Sequence, residues 1–290
     1  MPRLLLLLVL SLLGLASAQA QIEVRVELPR RAYLRGESID ATVTIRNLSG
    51  HVVDLTDANG QRWFGFDVLR NGDTPLGPYS TDYKNEPVTI ESGQSVKRTV
   101  DLLKLYPLNE LGAYKIQGAI YFSETKKFYT SDPINLDVTD GKVLWRQTAG
   151  VPDGKEGSGD LREFSLVLFQ KPQSLELYAR VEDETTNNVL ATYPIGKMIA
   201  GTTPMAELND ENTLYILHMS APSQYSLSKV GINGEWLGQS LWASATGRAT
   251  VRRSKTSNDM VVVGAQRIRE AATGGPVVPK LSDRPVKLPK

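Results

Sequence analysis

Two histidines, His51 and His218, are the only imidazoles in the 290 residues, and there is no cysteine. A serine triad would need one of these rings beside a nucleophile and a carboxylate, but no Gly-x-Ser-x-Gly elbow is present. His51 follows Ser49-Gly50 in a turn, and His218 sits near the end of the apolar run Leu214–Met219. Structural roles for both are the simpler reading. Thiolate metal sites are impossible, and His-Glu-x-x-His is absent, which argues against a zinc enzyme. Glycosidase chemistry needs two carboxylates about 5–10 Å apart. The densest clusters are Glu182-Asp183-Glu184 and Asp210-Glu211, each flanked by Asn and Thr as solvated hairpin turns are. A hydrolase with a carboxylate site around Glu182 and Glu184, acting on glycans or peptides, is the alternative function these clusters allow. Asp57-Ala58-Asn59-Gly60 fails as a calcium loop, because its first and twelfth ligand positions fall on Leu55 and Phe66. Asp153, Glu156 and Asp160, in a glycine-rich stretch, form the better calcium candidate.

Phosphate-binding glycine loops are missing, so no cofactor is expected. The remaining candidates are aromatic and basic. Tyr79 and Tyr83 share the loop Gly77–Glu86, where core packing does not readily explain both, and exposed rings on a β scaffold stack on sugars or anchor a protein partner. Arg248, Arg252, Arg253 and Lys255 crowd one segment. They read as a charge-protected strand edge, or more sharply as an anion-binding strip. Asn47-Leu48-Ser49 matches the glycosylation sequon.

The elements that carry these residues are strands. Ile22, Val24 and Val26 alternate with Glu23, Arg25 and Glu27; Ile39, Ala41, Val43 and Ile45 alternate with Asp40, Thr42 and Thr44. Period-two patterning means one wet and one buried face. Similar runs recur at Val52–Leu55, Phe64–Val68, Val88–Ile90, Val96–Leu102, Tyr114–Phe122 and Ile134–Val138. They are broken by turns such as Arg70-Asn71-Gly72-Asp73. After a polar, glycine-rich junction at 141–160, alternation resumes at Phe164, Leu175, Val189, Leu214, Tyr225, Trp236, Ala249 and Met260. The fold class is therefore all-β. A β-sandwich is expected over 19–140, a second sandwich or small barrel over 161–271, and a disordered, basic, proline-rich tail over 272–290.

Three segments add a resemblance. Tyr33-Leu34-Arg35-Gly36-Glu37-Ser38-Ile39, Ile90-Glu91-Ser92-Gly93-Gln94-Ser95 and Leu111-Gly112-Ala113-Tyr114-Lys115-Ile116 resemble the opening, turn and tyrosine corner of bacterial immunoglobulin-like and macroglobulin-type sandwich domains. The likeness covers roughly 22–140, and the cysteine pair and strand tryptophan of antibody domains are absent. It implies a sandwich that supplies spacing or binding surfaces and carries over no active-site residue. The second half resembles no family.

Arg3, the apolar run Leu4–Leu15 and Ala16-Ser17-Ala18 have the layout of a secretory signal peptide. The run is too short for a bilayer core of roughly 30 Å. Cleavage after Ala18 is expected, with Ala18-Gln19-Ala20 a second possible site, and no later segment could span a membrane as a helix. Of 33 basic and 32 acidic residues, Arg3 is the surplus one, so the mature chain is neutral and a nucleic-acid partner is not expected. The function these features indicate is a non-enzymatic, periplasmic or secreted binding or spacer module with a protein or glycan partner.

Overall fold

The computed structural model describes residues 21–80, 85–255, 257 and 259–270. The leader expected at 1–18 and the tail expected at 272–290 lie outside them. Over the described residues the chain is all-β, with several sheets and one helical turn.

Strands β1 (Ile22–Glu27), β3 (Asp40–Asn47) and β8 (Ser95–Asp101) pair antiparallel in the order β1-β3-β8. A second sheet runs β2 (Ala32–Leu34), β11 (Ile134–Thr139), β9 (Gly112–Phe122), β5 (Phe64–Arg70), β6 (Thr74–Leu76), with β10 (Lys127–Thr130) added beside β9. Between them β4 (Val53–Leu55) and β7 (Val88–Ile90) form a ribbon. Alternation builds this arrangement directly: in β1 the residues Ile22, Val24 and Val26 are buried and the charged residues between them are exposed. They join Val43, Phe64, Ile116 and Leu136 in one apolar core, giving a sandwich-like unit.

The strand expected over Val96–Leu102 stops one residue early. The Asp101 carboxylate accepts from the backbone N–H of Leu103 and of Ile39, both at 3.1 Å. It thereby caps the helical turn α1 (Leu102–Leu105), which drives Leu102 and Leu103 into the core.

The second half has three layers. β12 (Lys142–Gly150), β13 (Leu161–Lys171), β14 (Ser174–Asp183) and β15 (Val189–Lys197) form an antiparallel meander. β16 (Met205–Leu208), β17 (Leu214–Ala221), β18 (Gln224–Val230), β19 (Trp236–Ala243) and β22 (Gln266–Glu270) form the middle sheet. The ribbon of β20 (Thr250–Arg253) and β21 (Met260–Val263) covers its far face. β17 is buried on both sides: Leu214 and Ile216 pack with Phe164 and Ile195, while Tyr215 and Leu217 pack with Val251 and Met260. The junction expected at 141–160 is only partly a loop, since Lys142–Gly150 pairs with β13 from end to end as its edge strand.

The two halves meet at a seam of charge. Arg35 reaches Glu182 at 2.7 Å and Asp140 at 3.0 Å, and Arg180 reaches Asp140 at 2.9 Å. Arg30 pairs with Glu37, whose carboxylate also accepts from the Leu34 N–H at 3.0 Å. Thr192 Oγ1 donates to the Arg35 carbonyl at 2.8 Å, and Glu37 forms a parallel bridge with Thr192. Beside the ions, Leu34 packs with Val167, Phe169 and Tyr178. Two glycines permit this approach. Gly36 (φ 78°) would place a Cβ 2.3 Å from Val189 Cγ1, and Gly141 (φ 69°) would place one 2.7 Å from Val167 Cγ1. Gly36→Ala is expected to cost about 2–4 kcal/mol, since it adds both a left-handed backbone and an overlap with a stiff β-branched side chain. Urea melts of the two proteins check this, and an unchanged midpoint would contradict the seam.

Candidate functional site

A cleft of about 460 Å³ opens along β5. Its position follows from strand length. β6 pairs only with Val68–Arg70, so among the described residues Phe64–Asp67 has no neighbouring strand on that side. Such an edge would expose backbone donors and acceptors, yet side chains cap it. The Phe66 N–H donates to Tyr106 Oη at 3.2 Å, and the same hydroxyl donates to the Phe66 carbonyl at 2.7 Å. Asn85 Nδ2 donates to the Phe64 carbonyl at 3.0 Å. Asn85 is itself positioned by Asp57, whose carboxylate accepts from the Trp63 N–H at 2.9 Å and the Asn85 N–H at 3.2 Å. Burial alone would raise the Asp57 pKa, but these bonds outweigh it and hold the group below the ordinary carboxylate range.

On the outer face of the same sheet, Gly65 and Ala119 are register partners and both line the cleft. Phe128 borders it, 55% exposed, with its ring 5.0 Å from that of Tyr121. Tyr121 accepts a hydrogen bond from Asn59 Nδ2 at 3.3 Å. The turn around Asn59 and Gly60, closed by reciprocal Ala58–Gln61 backbone bonds, brings Gly60, Gln61 and Arg62 to the other border. Asp67 and Pro78 also line the space.

Pro78 belongs to the loop singled out for Tyr79 and Tyr83. Tyr79 is half-buried and docked: its N–H donates to the Leu105 carbonyl at 2.8 Å, and its hydroxyl accepts from Asn109 at 3.1 Å. Tyr83 lies outside the described residues. The cleft residues Gln61, Asp67 and Phe128 were not singled out in the sequence, although one signal was there. In Lys127-Phe128-Tyr129-Thr130, adjacent aromatics on a strand must face opposite sides, so one of the pair had to be outside.

The remaining sequence candidates are placed apart. Arg252 is exposed opposite Val261, whereas Arg253 pairs with Asp210; Arg248 and Lys255 are exposed at the ribbon's ends. Asp153 accepts from Ser158 at 3.1 Å, Asp160 pairs with Arg162 at 3.1 Å, and Glu156 offers only its backbone carbonyl, to Asn233. The three carboxylates expected to bind calcium are thus divided among separate partners, and among the described residues no group of three potential ligands gathers. Glu182, read as part of a solvated turn, is buried against Arg35, while Glu184 is exposed. Asp183 does make the turn, accepting from the Thr186 N–H at 2.8 Å. Burial works to raise the pKa of both Asp140 and Asp183. The Thr186 turn and Arg162 at Asp183, and Arg35 with Arg180 at Asp140, more than offset it and hold both low. Asn47 is fully buried, its amide donating to the His51 and Ile90 carbonyls at 2.7 and 2.8 Å, so the sequon is closed in the folded chain.

His51 is exposed, 4.0 Å from Glu124. His218 is 1% exposed on β17, register partner of the buried Ser226 on β18, and neither ring nitrogen has a hydrogen-bond partner. Burial pushes its pKa down to about 4, against the opposing effect of the nearby Lys197 backbone, whose approach to the ring falls short of a hydrogen bond.

No protein-family model matches the chain, and no curated protein matches it. Among solved structures, Spo0M, a sporulation control protein from Bacillus subtilis, is 13% identical with a TM-score of 0.28, covering 59% of this chain and 83% of its own. A beta-glucosidase from Listeria innocua, in complex with gluconolactone, is 16% identical with a TM-score of 0.22. That likeness covers 43% of this chain and 17% of the glucosidase. Both likenesses are distant and assign neither family nor activity. Among the described residues no helix is long and apolar enough to cross a membrane.

The buried imidazole sets an expectation for pH. The folded pKa of about 4 lies below the unfolded value of about 6.5, so the unfolded chain binds the extra proton between them. Stability is full above the unfolded value and falls as pH drops through this window, by about 3 kcal/mol once the folded pKa is passed. Asp140, Asp57 and Asp183, held low in the fold, add losses only at more acid pH. Urea midpoints measured across this range should fall, and His218→Leu should flatten the upper part of the curve. An identical slope in both proteins would contradict the assignment.

Proposed function

We propose that this chain is a non-enzymatic exported binding module of the cell envelope or extracellular space, and that the β5 cleft is its binding site. The observation that carries the reading is the cleft's construction: a capped strand edge, an exposed ring set on a second ring, and polar groups at its borders, with the floor and ring on sheet and Gln61 on a turn closed by backbone hydrogen bonds. Export rests on the leader-like Arg3, Leu4–Leu15 and Ala16-Ser17-Ala18. An immunoglobulin-like identity for residues 19–140 is part of the proposal. It is supported by Tyr114, whose hydroxyl donates to the Glu110 carbonyl at 2.6 Å in the manner of a tyrosine corner. Of the two glutamates of the alternative hydrolytic reading, Glu182 is committed to Arg35 in the seam and Glu184 is exposed at the hairpin turn, which favours binding over catalysis. Spacing and binding are compatible roles, because the seam fixes the second half against the first.

Co-sedimentation of the mature protein with envelope fragments of its source cell tests the reading. Phe128→Ala should reduce retention about tenfold, the order expected for one aromatic contact, with the thermal midpoint unchanged because the ring is exposed. Equal retention of both proteins would remove the cleft from the function.

A further inference from the structure

We infer that the cleft takes a gluco-configured pyranose ring of a glycan chain, seated over Gly65 and Ala119 with one face against Phe128. This rests on the β5 cleft being the binding site. The commonest ligand of a strand edge is a further strand. An added peptide strand needs free backbone groups, and on β5 the Phe66 N–H and carbonyl are both taken by Tyr106 and the Phe64 carbonyl by Asn85. A ligand here is read by side chains and shape.

The shape suits a flat ring. Gly65 has no side chain, and nothing lies within 4 Å of where its Cβ would be; its partner Ala119 carries only a methyl. Beside this floor stands Phe128, its tilt fixed by Tyr121, which Asn59 holds in turn. A pyranose with equatorial hydroxyls presents a face of axial C–H bonds that packs on such a ring, and it confines its polar groups to the rim. The cleft's polar groups also stand at its borders, where the exposed Gln61 amide can donate to and accept from sugar hydroxyls and the exposed Asp67 carboxylate can accept from them. A wholly apolar ligand would desolvate Asp67 without a partner. The volume of about 460 Å³ falls in the range of small-ligand sites, about 300–1,000 Å³.

Isothermal titration of the mature protein tests this with two probes, the β-1,4-linked tetrasaccharides of glucose and of N-acetylglucosamine, beside a random octapeptide pool. The expected result is saturable binding of at least one sugar. Phe128→Ala should weaken it about tenfold, Phe128→Trp should preserve it, and Gly65→Leu, which fills the floor without touching the core, should abolish it. Binding of neither sugar up to its solubility limit overturns the inference, as does binding of the peptide pool alone or sugar binding indifferent to all three substitutions. Should the sugars fail while envelope retention still depends on Phe128, the glycan assignment falls and the binding-module reading stands.

Discussion

Two arginines placed between two carboxylates hold the molecule's halves together. Arg180 is almost wholly buried, with Asp140 at 2.9 Å and the Glu182 carboxylate at 4.0 Å, while Arg35 spans the same two acids from the other half. Charges taken out of water are costly, and only a complete set of partners recovers that cost. Deleting one of the two buried members, Arg180 or Glu182, would strand buried charge, a loss of order 3–5 kcal/mol, and the loss at the part-exposed Arg35 or Asp140 would be smaller. Apolar contacts alone could tolerate small slips between the halves. The ion set cannot, because each guanidinium has fixed donor directions, and the φ-positive glycines at 36 and 141 bring the strands close enough to complete it. This substitutes for covalent bracing in a chain without cysteine.

The same economy governs the β5 edge. A strand that outruns its neighbour must pair, be covered or bind something. Here one tyrosine hydroxyl serves both the donor and the acceptor of Phe66, and an asparagine held by Asp57 serves Phe64. The sheet stays open as a cleft without becoming sticky as an edge. The Phe128 ring is set against Tyr121, which Asn59 holds, before any ligand arrives, and this lowers the ordering cost of binding.

Strands with one buried face were legible because burial and solvent impose opposite residue types at alternate positions, as in β1 and β3. β2, β6 and β16 are too short to show a period. β12, an edge strand with much of its length exposed, lacks the contrast that alternation needs, so within the junction only Val143, Leu144 and Trp145 read as a partial strand. β17 is buried on both faces, which blurs the alternation in its inner part. Glu182 was the costliest ambiguity. Locally Glu182-Asp183-Glu184 has the composition of a turn, and Asp183 makes one, but Glu182 continues the side of β14 that carries Tyr178 and Arg180. An arginine between Ala179 and Val181 in a strand is the local hint that charge is buried there; its partners Arg35 and Asp140 lie too far along the chain for any local pattern to reveal. The cleft was hidden for a related reason: Gly65 and Ala119 become a floor only through register, and register is set by the whole sheet.

The buried imidazole of His218 completes this view of where the chain tolerates polarity. At the seam, buried charge is paired with opposite charge, although Arg180 Nε is left without a partner, and it makes orientation specific. At His218, neither ring nitrogen has a partner, so the ring is tolerated only while neutral. The two sites therefore respond oppositely to acid in the range above the ordinary carboxylate pKa: the seam, with Asp140 held low by its arginines, keeps its charges, while the β15–β17 layer loses stability. Acid stress is thus directed into the second half, away from the cleft on β5, whose geometry depends on Tyr106, Asn85 and the low-pKa Asp57.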